Sequence, residues 1–209
     1  MLLYFVRHGE TYNNIEAVFP LDNTELTEKG KKEAFDTGRY LKGIKFDAVF
    51  SSPILRVLAT LKIMGIDQYK TDPLLKDVDT GDLAGRKISA VTAKDPEWYA
   101  TFQDGVENRY NVEKFSSVKR RVVEFTSSIG ADNYKNVLIA THLEPIRAMF
   151  SIATLTEGLP LTKLEIGNCS ISIFSLNENR IELKGFNYLE VWNFYEKARL
   201  RMFMMMAIV

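Results

Sequence analysis

Cysteine, histidine and unbalanced charge are all scarce in this chain, and each scarcity excludes something. Cys169 is the single cysteine, so neither an intramolecular disulfide nor a cluster of thiolate metal ligands can form. Its place in NCSISIF suits a small buried thiol in a strand. Only two histidines are present, His8 and His142, and without a spaced third ligand they do not define a zinc site. Lys and Arg number 27, as do Asp and Glu, which leaves no formal net charge. That balance gives no support to nucleic-acid binding, although a local basic pocket stays open. The most apolar stretch, RMFMMMAIV at the C-terminus, is about half as long as a membrane crossing needs, so no membrane insertion is expected. We expect this tail to pack on the body or to meet a partner, which leaves a homo-oligomer open. The start does not read as a secretory signal, because Arg7, His8 and Glu10 interrupt it early, and a cytoplasmic location follows as the expectation.

What is present is an ordinary globular composition, 46% apolar and 26% charged over 209 residues, enough for one substantial core. Strand-type runs at Leu2 to Val6, Asp47 to Phe50 and Val137 to Ala140 alternate with helical patterns. One helix opens near Thr27 and another follows Pro53, which suits a first helical turn. Further helices are predicted from Phe115 to Ile129 and from about Pro145 to Leu155. The stretch from Pro73 to Gly85 reads as a strand followed by a turn, and Cys169 to Leu176 with Arg180 to Leu183 reads as a hairpin. Apolar strands alternating with long helices predict an α/β protein with helices on both faces of the sheet. No repeat or linker divides it, so residues 1–209 are read as one domain. Short helices and loops at about 86–112 form an insertion or cap, in which Trp98, Tyr99, Phe102 and Tyr110 could line a substrate mouth.

Three apolar runs end in blocks of chemistry: Arg7-His8-Gly9-Glu10, Ser51-Ser52 followed by Arg56, and Thr141-His142. In open α/β sheets ligands bind beyond the carboxyl ends of the strands. Two imidazoles and two arginines gathered there describe a site for an anion, since the guanidinium fork meets two phosphate oxygens at once. Gly9 would let the chain turn sharply after His8 or let a phosphate come close.

The segment LYFVRHGETYNN resembles the signature of the histidine phosphatase superfamily, in its phosphoglycerate mutase-like branch. The similarity continues through LTEKGKKEA, SSPILRVLAT, LLKDVDTGDLAG, IATHLEPIRAMF and NCSISIF, in the family's order. The resemblance implies a three-layer α/β/α sandwich with a mostly parallel central sheet. It implies that His8 is a nucleophile that becomes a phosphohistidine, with Arg7, Arg56 and His142 around the transferred phosphoryl group and Asn14 as a further phosphate-binding amide. Asp77 falls where the family usually has a glutamate that protonates the leaving oxygen. Asp79 and Asp82 compete for that role. Leu143 replaces a glycine common after the second histidine. The implied function is phosphomonoester hydrolysis on a small phosphorylated metabolite, with no metal and no other cofactor, since arginines and imidazole supply the positive field. The absence of long enclosing insertions favours hydrolysis over a mutase reaction; a catalytically idle phosphate-binding protein stands as the alternative from another class.

Overall fold

A computed structural model describes residues 1–157, 163–178 and 180–188. The methionine-rich C-terminal tail lies outside the described residues. In chain order the elements are β1 (Leu2–Arg7), α1 (Tyr12–Ile15), α2 (Glu28–Leu41), β2 (Ala48–Ser51), α3 (Leu55–Ile63), β3 (Lys70–Thr71), α4 (Ile88–Lys94), α5 (Phe115–Gly130), β4 (Asn136–Thr141), α6 (Leu143–Thr154), β5 (Ile171–Asn177) and β6 (Arg180–Tyr188). The strands form one sheet in the order β3-β2-β4-β1-β5-β6. Strands β3, β2, β4 and β1 run parallel; β5 is antiparallel to β1, and β6 is antiparallel to β5.

Side-chain alternation along the central strands builds the layers, because successive residues point to opposite faces. Leu3 and Phe5 of β1, with Val137 and Ile139 of β4, pack under α5 and α6 against Val118, Val122, Phe125, Ile146 and Met149. Val6, Leu138 and Ala140 face the other way, onto Ala34 and Leu41 of α2 and Val57 and Leu61 of α3. The result is the three-layer α/β/α sandwich expected from the sequence.

Local chemistry sets the helix ends. The Thr27 side chain accepts from the Gly30 amide at the start of α2, and Gly65, at φ +76°, follows the cap of α3. Pro53 lies before the α3 cap residue Ile54, not in the first turn as the sequence suggested. The strand expected at Pro73 is also absent: Pro73–Leu75 and Gly81–Leu83 are single 3-10 turns. Asp72 caps the first by accepting from the Leu74 amide, which favours a turn over extension. Residues 86–112 carry α4 and a 3-10 turn at Trp98–Phe102, gathered with Phe19 and Leu83 into a small apolar cluster of their own.

Candidate active site

Strand register brings the three blocks together. β1 and β4 run in step from Leu2 beside Asn136 to Arg7 beside Thr141, and β2 ends with Ser51 beside Ala140. His8, Ser52 and His142 therefore emerge at one edge. The chain leaves β1 for α2 on one face and β4 for α6 on the other, which opens the crevice where such sheets bind ligands.

The two imidazoles meet there with ring centroids 5.3 Å apart. His8 is buried, and its Nδ1 lies 2.8 Å from the Gly9 carbonyl oxygen. A carbonyl only accepts, so the proton sits on Nδ1 and Nε2 keeps its lone pair. Burial first, then His142, Arg7 and Arg56, hold the His8 pKa well below the ordinary imidazole value. The ring is neutral, which is the nucleophilic form. Gly9, expected to allow a sharp turn or a close phosphate, also admits the first turn of α2: a Cβ there would stand 2.5 Å from the Gly30 carbonyl oxygen. Its amide donates to the Thr60 hydroxyl at 3.0 Å.

His142 is fully buried at the cap of α6, with Nε2 2.8 Å from the Ser52 hydroxyl. That hydroxyl accepts from the Ile54 amide at 3.3 Å; the carboxylate facing Nδ1 favours the N–H on that atom, with the hydroxyl proton given to Nε2. The Nδ1 atom points toward the Asp77 carboxylate, 3.6 Å away. Burial, followed by Arg56, Arg121 and Arg7, lowers this imidazole's pKa well below its usual value too.

Arg56 is buried, giving one nitrogen to the Leu21 carbonyl and another to Asp77 Oδ2, each at 3.1 Å. Asp77 Oδ1 accepts from the Val78 amide. Arg7 donates to the Ile166 carbonyl. Asn14 uses its oxygen in a capping box with Thr11, which leaves its amide nitrogen for a ligand. A cavity of about 900 Å³ opens over this group. Arg7, His8, Asn14, Arg56 and Asp77 line it, whereas His142 lies behind the wall, screened by Asp77. Asp79 and Asp82 do not line it; their carboxylates accept from Gly81 and Asn111 instead. Of the four aromatics expected at the mouth, Trp98, Tyr99 and Phe102 line the cavity, while Tyr110 turns away to donate to Asp95.

Several supporting groups escaped the sequence reading. Arg121 of α5 donates to the carbonyls of Leu74, Lys76 and Asp77 and pairs with Glu113, so it holds the loop that carries Asp77. Glu144 lines the cavity and pairs with Arg147 at 2.6 Å; burial raises its carboxyl pKa. The sequence signal for this pair was the i,i+3 spacing of opposite charges in α6. Among the described residues no group of three or more His, Cys, Asp or Glu side chains is placed to hold a metal ion. No helix among them is long and apolar enough to cross a membrane.

Both the sequence and the fold match known proteins. The family model of the histidine phosphatase superfamily (branch 1) matches residues 3–189. A 2,3-bisphosphoglycerate-dependent phosphoglycerate mutase of Thermoplasma acidophilum is 31% identical over 181 residues, covering 84% of this chain and 88% of the relative. Phosphoserine phosphatase 1 of Hydrogenobacter thermophilus is 28% identical over 189 residues, covering 85% of this chain and 88% of the relative. Among solved structures, a mutant phosphoserine phosphatase from Entamoeba histolytica in complex with phosphoserine superposes with a TM-score of 0.78 at 22% identity, over 90% of this chain and 98% of that one.

Proposed function

The chain belongs to the histidine phosphatase superfamily (branch 1), and from that premise we propose that it hydrolyses small phosphomonoesters through a phosphohistidine on His8. The observation that carries this reading is the tether of His8 Nδ1 to the Gly9 carbonyl, which leaves Nε2 unprotonated beside Arg7 and Arg56 in a cavity. Nε2 attacks phosphorus, the P–O bond to the alcohol breaks, and the arginines oppose the charge on the equatorial oxygens. The Asp77 carboxylate occupies the space an anion would take against Arg56 and His142. An incoming phosphoryl group displaces it, takes the Arg56 donors and gains the His142 Nδ1–H. In its protonated form Asp77 gives its proton to the leaving alkoxide. As the carboxylate, Asp77 next takes a proton from water, which attacks the phosphohistidine and releases inorganic phosphate.

A mutase reading draws support from the Thermoplasma acidophilum relative, named as a bisphosphoglycerate-dependent mutase. The two reactions share the phosphohistidine and part at the acceptor, so product analysis with 3-phosphoglycerate separates them: released phosphate marks the hydrolase, and isomerised phosphoglycerate marks the mutase. His8→Ala should lower p-nitrophenyl phosphate turnover by at least about 10³-fold, since the imidazole that forms the covalent bond to phosphorus is gone. Wild-type protein quenched during turnover should carry acid-labile, base-stable phosphate that His8→Ala lacks. Unchanged turnover in that variant rules out the covalent route. Wild-type protein inert on a broad phosphomonoester panel favours a phosphate-binding role.

A further inference from the structure

Beyond the phosphoryl end, the cavity continues along a wall built by Phe19, Trp98, Tyr99, Phe102, Phe115 and Leu143. Trp98 stands edge-on to Phe19, Tyr99 and Phe102, with centroids 5.0, 6.2 and 6.3 Å away. Its indole N–H is spent on the Thr92 hydroxyl at 3.0 Å, so the indole has no donor left for a ligand. Aromatic surface of this kind gains most from an apolar or aromatic group that it removes from water.

The cations lining the same space are already matched. Outside the phosphoryl end the lining cations among the described residues are Lys119 and Arg147. Lys119 pairs with Glu157 at 2.7 Å, and Arg147 pairs with Glu144 at 2.6 Å while giving its Nε and a second nitrogen to the Leu164 carbonyl. Asp104 adds a carboxylate held by the Ser116 hydroxyl. A second phosphate or a carboxylate on the substrate would have to pull a cation from its partner and lie beside the carboxylate left behind. Glu144 is the more confined of these acids, with 21% of its side chain exposed against 77% for Glu157, so it is the harder one to move aside.

We propose that this site selects monophosphates whose alcohol carries an uncharged aromatic or apolar group, and that Glu144 is the residue that rejects a second anionic group. The inference rests on the phosphatase reading of the same site and names the substrate class for it. A cavity of about 900 Å³ is of the size that encloses a ligand well beyond a three-carbon phosphate.

The test uses the full chain and three esters with the same kind of primary alkoxide leaving group: 3-phenylpropyl, propyl and 3-carboxypropyl phosphate. p-Nitrophenyl phosphate reports phosphoryl transfer separately. We expect kcat/KM for the phenylpropyl ester to exceed that for the propyl ester by about tenfold or more, and the carboxypropyl ester to be the poorest. Glu144→Gln should narrow the propyl-to-carboxypropyl ratio by at least about fivefold, and Trp98→Ala should narrow the phenylpropyl-to-propyl ratio by a similar factor. Turnover of p-nitrophenyl phosphate with the three esters equal within about twofold, or with the carboxylate preferred, overturns this inference and leaves the phosphatase reading standing. An unchanged ratio in Glu144→Gln removes Glu144 from it. No turnover of any of the four esters overturns both, and the wild-type ratios decide the substrate class even if a variant fails to fold.

Discussion

At the scale of single residues, Asp77 carries the sharpest consequence. Its carboxylate holds Arg56 and faces His142, so the same group that would protonate the leaving oxygen also competes with the phosphate for the site's donors. Asp77→Asn separates the two roles, because the amide keeps nearly the same shape while losing the charge and the transferable proton. Inorganic phosphate should inhibit the variant several-fold more tightly, since Arg56 no longer has an anionic partner to give up. Turnover of alkyl phosphates should fall by about 10²-fold or more, whereas p-nitrophenyl phosphate, whose leaving group departs without a proton, should lose less than about tenfold. Equal losses on both esters with no change in phosphate inhibition would make Asp77 a structural partner of Arg56. The residue reading had Asp79 and Asp82 as rivals. Their bonds to the Gly81 amide and the Asn111 side chain take them out of the cavity, and neither contact could be seen before the loop closed on itself.

At the scale of elements, the approach of α2 to the end of β1 positions His8, the proposed nucleophile. Gly9 and Gly30 face each other so closely that a Cβ on Gly9 would stand 2.5 Å from the Gly30 carbonyl oxygen. Gly9→Ala should therefore push α2 and the His8 backbone apart, costing about 1–3 kcal/mol of stability in urea unfolding and lowering activity with it. Gly43→Ala, where the nearest atom to a new Cβ is 4.0 Å away, should change unfolding by less than about 0.5 kcal/mol and serves as the control. Matching losses in the two variants would show that the close approach has slack. The elements that could be read from the sequence were those whose apolar spacing matches one period: β1, β4 and α5 stand within a residue of their expected ends, and α2 starts one residue after Thr27. The unread ones have no such period. β3 is two exposed residues, recognisable only by its bonds to β2, and the segment after Asp72 is shaped by turns and by Arg121 reaching from α5 to three of its carbonyls. Arg7, His8 and His142 stand where apolar runs stop, and Arg56 follows another such run in the first turn of α3, so the sequence could place the four together. Thr60 and Arg121 act through contacts across the fold, which no local pattern announces.

At the scale of the whole molecule, the sheet keeps both of its histidines uncharged inside a cationic crevice, and that arrangement ties stability to pH. Burial is the first cause for each, and the neighbouring arginines add to it, so both folded-state pKa values lie below the ordinary value of 6.5. The sign follows from proton counting. Between the folded and unfolded values the unfolded chain binds protons that the folded chain refuses, so acid favours unfolding. The stability from two neutral imidazoles is fully present above pH 6.5 and is lost as the pH falls from there toward the folded-state values. Glu144 works in the opposite sense, because burial raises its carboxyl above the ordinary 4.5 and the folded chain holds that proton more readily than the unfolded one. Its contribution offsets part of the loss only at the acid end of the range. The urea midpoint should therefore fall between pH 7.5 and 5.5, and the fall should be shallower in His142→Gln, which removes one of the two titrations while leaving an amide to meet the Ser52 hydroxyl. Saturating inorganic phosphate should flatten the wild-type fall as well, because an anion against the two rings stabilises their charged forms in the folded state. A variant whose midpoint falls in parallel with the wild type would take His142 out of the acid sensitivity and leave His8 as its source in the crevice.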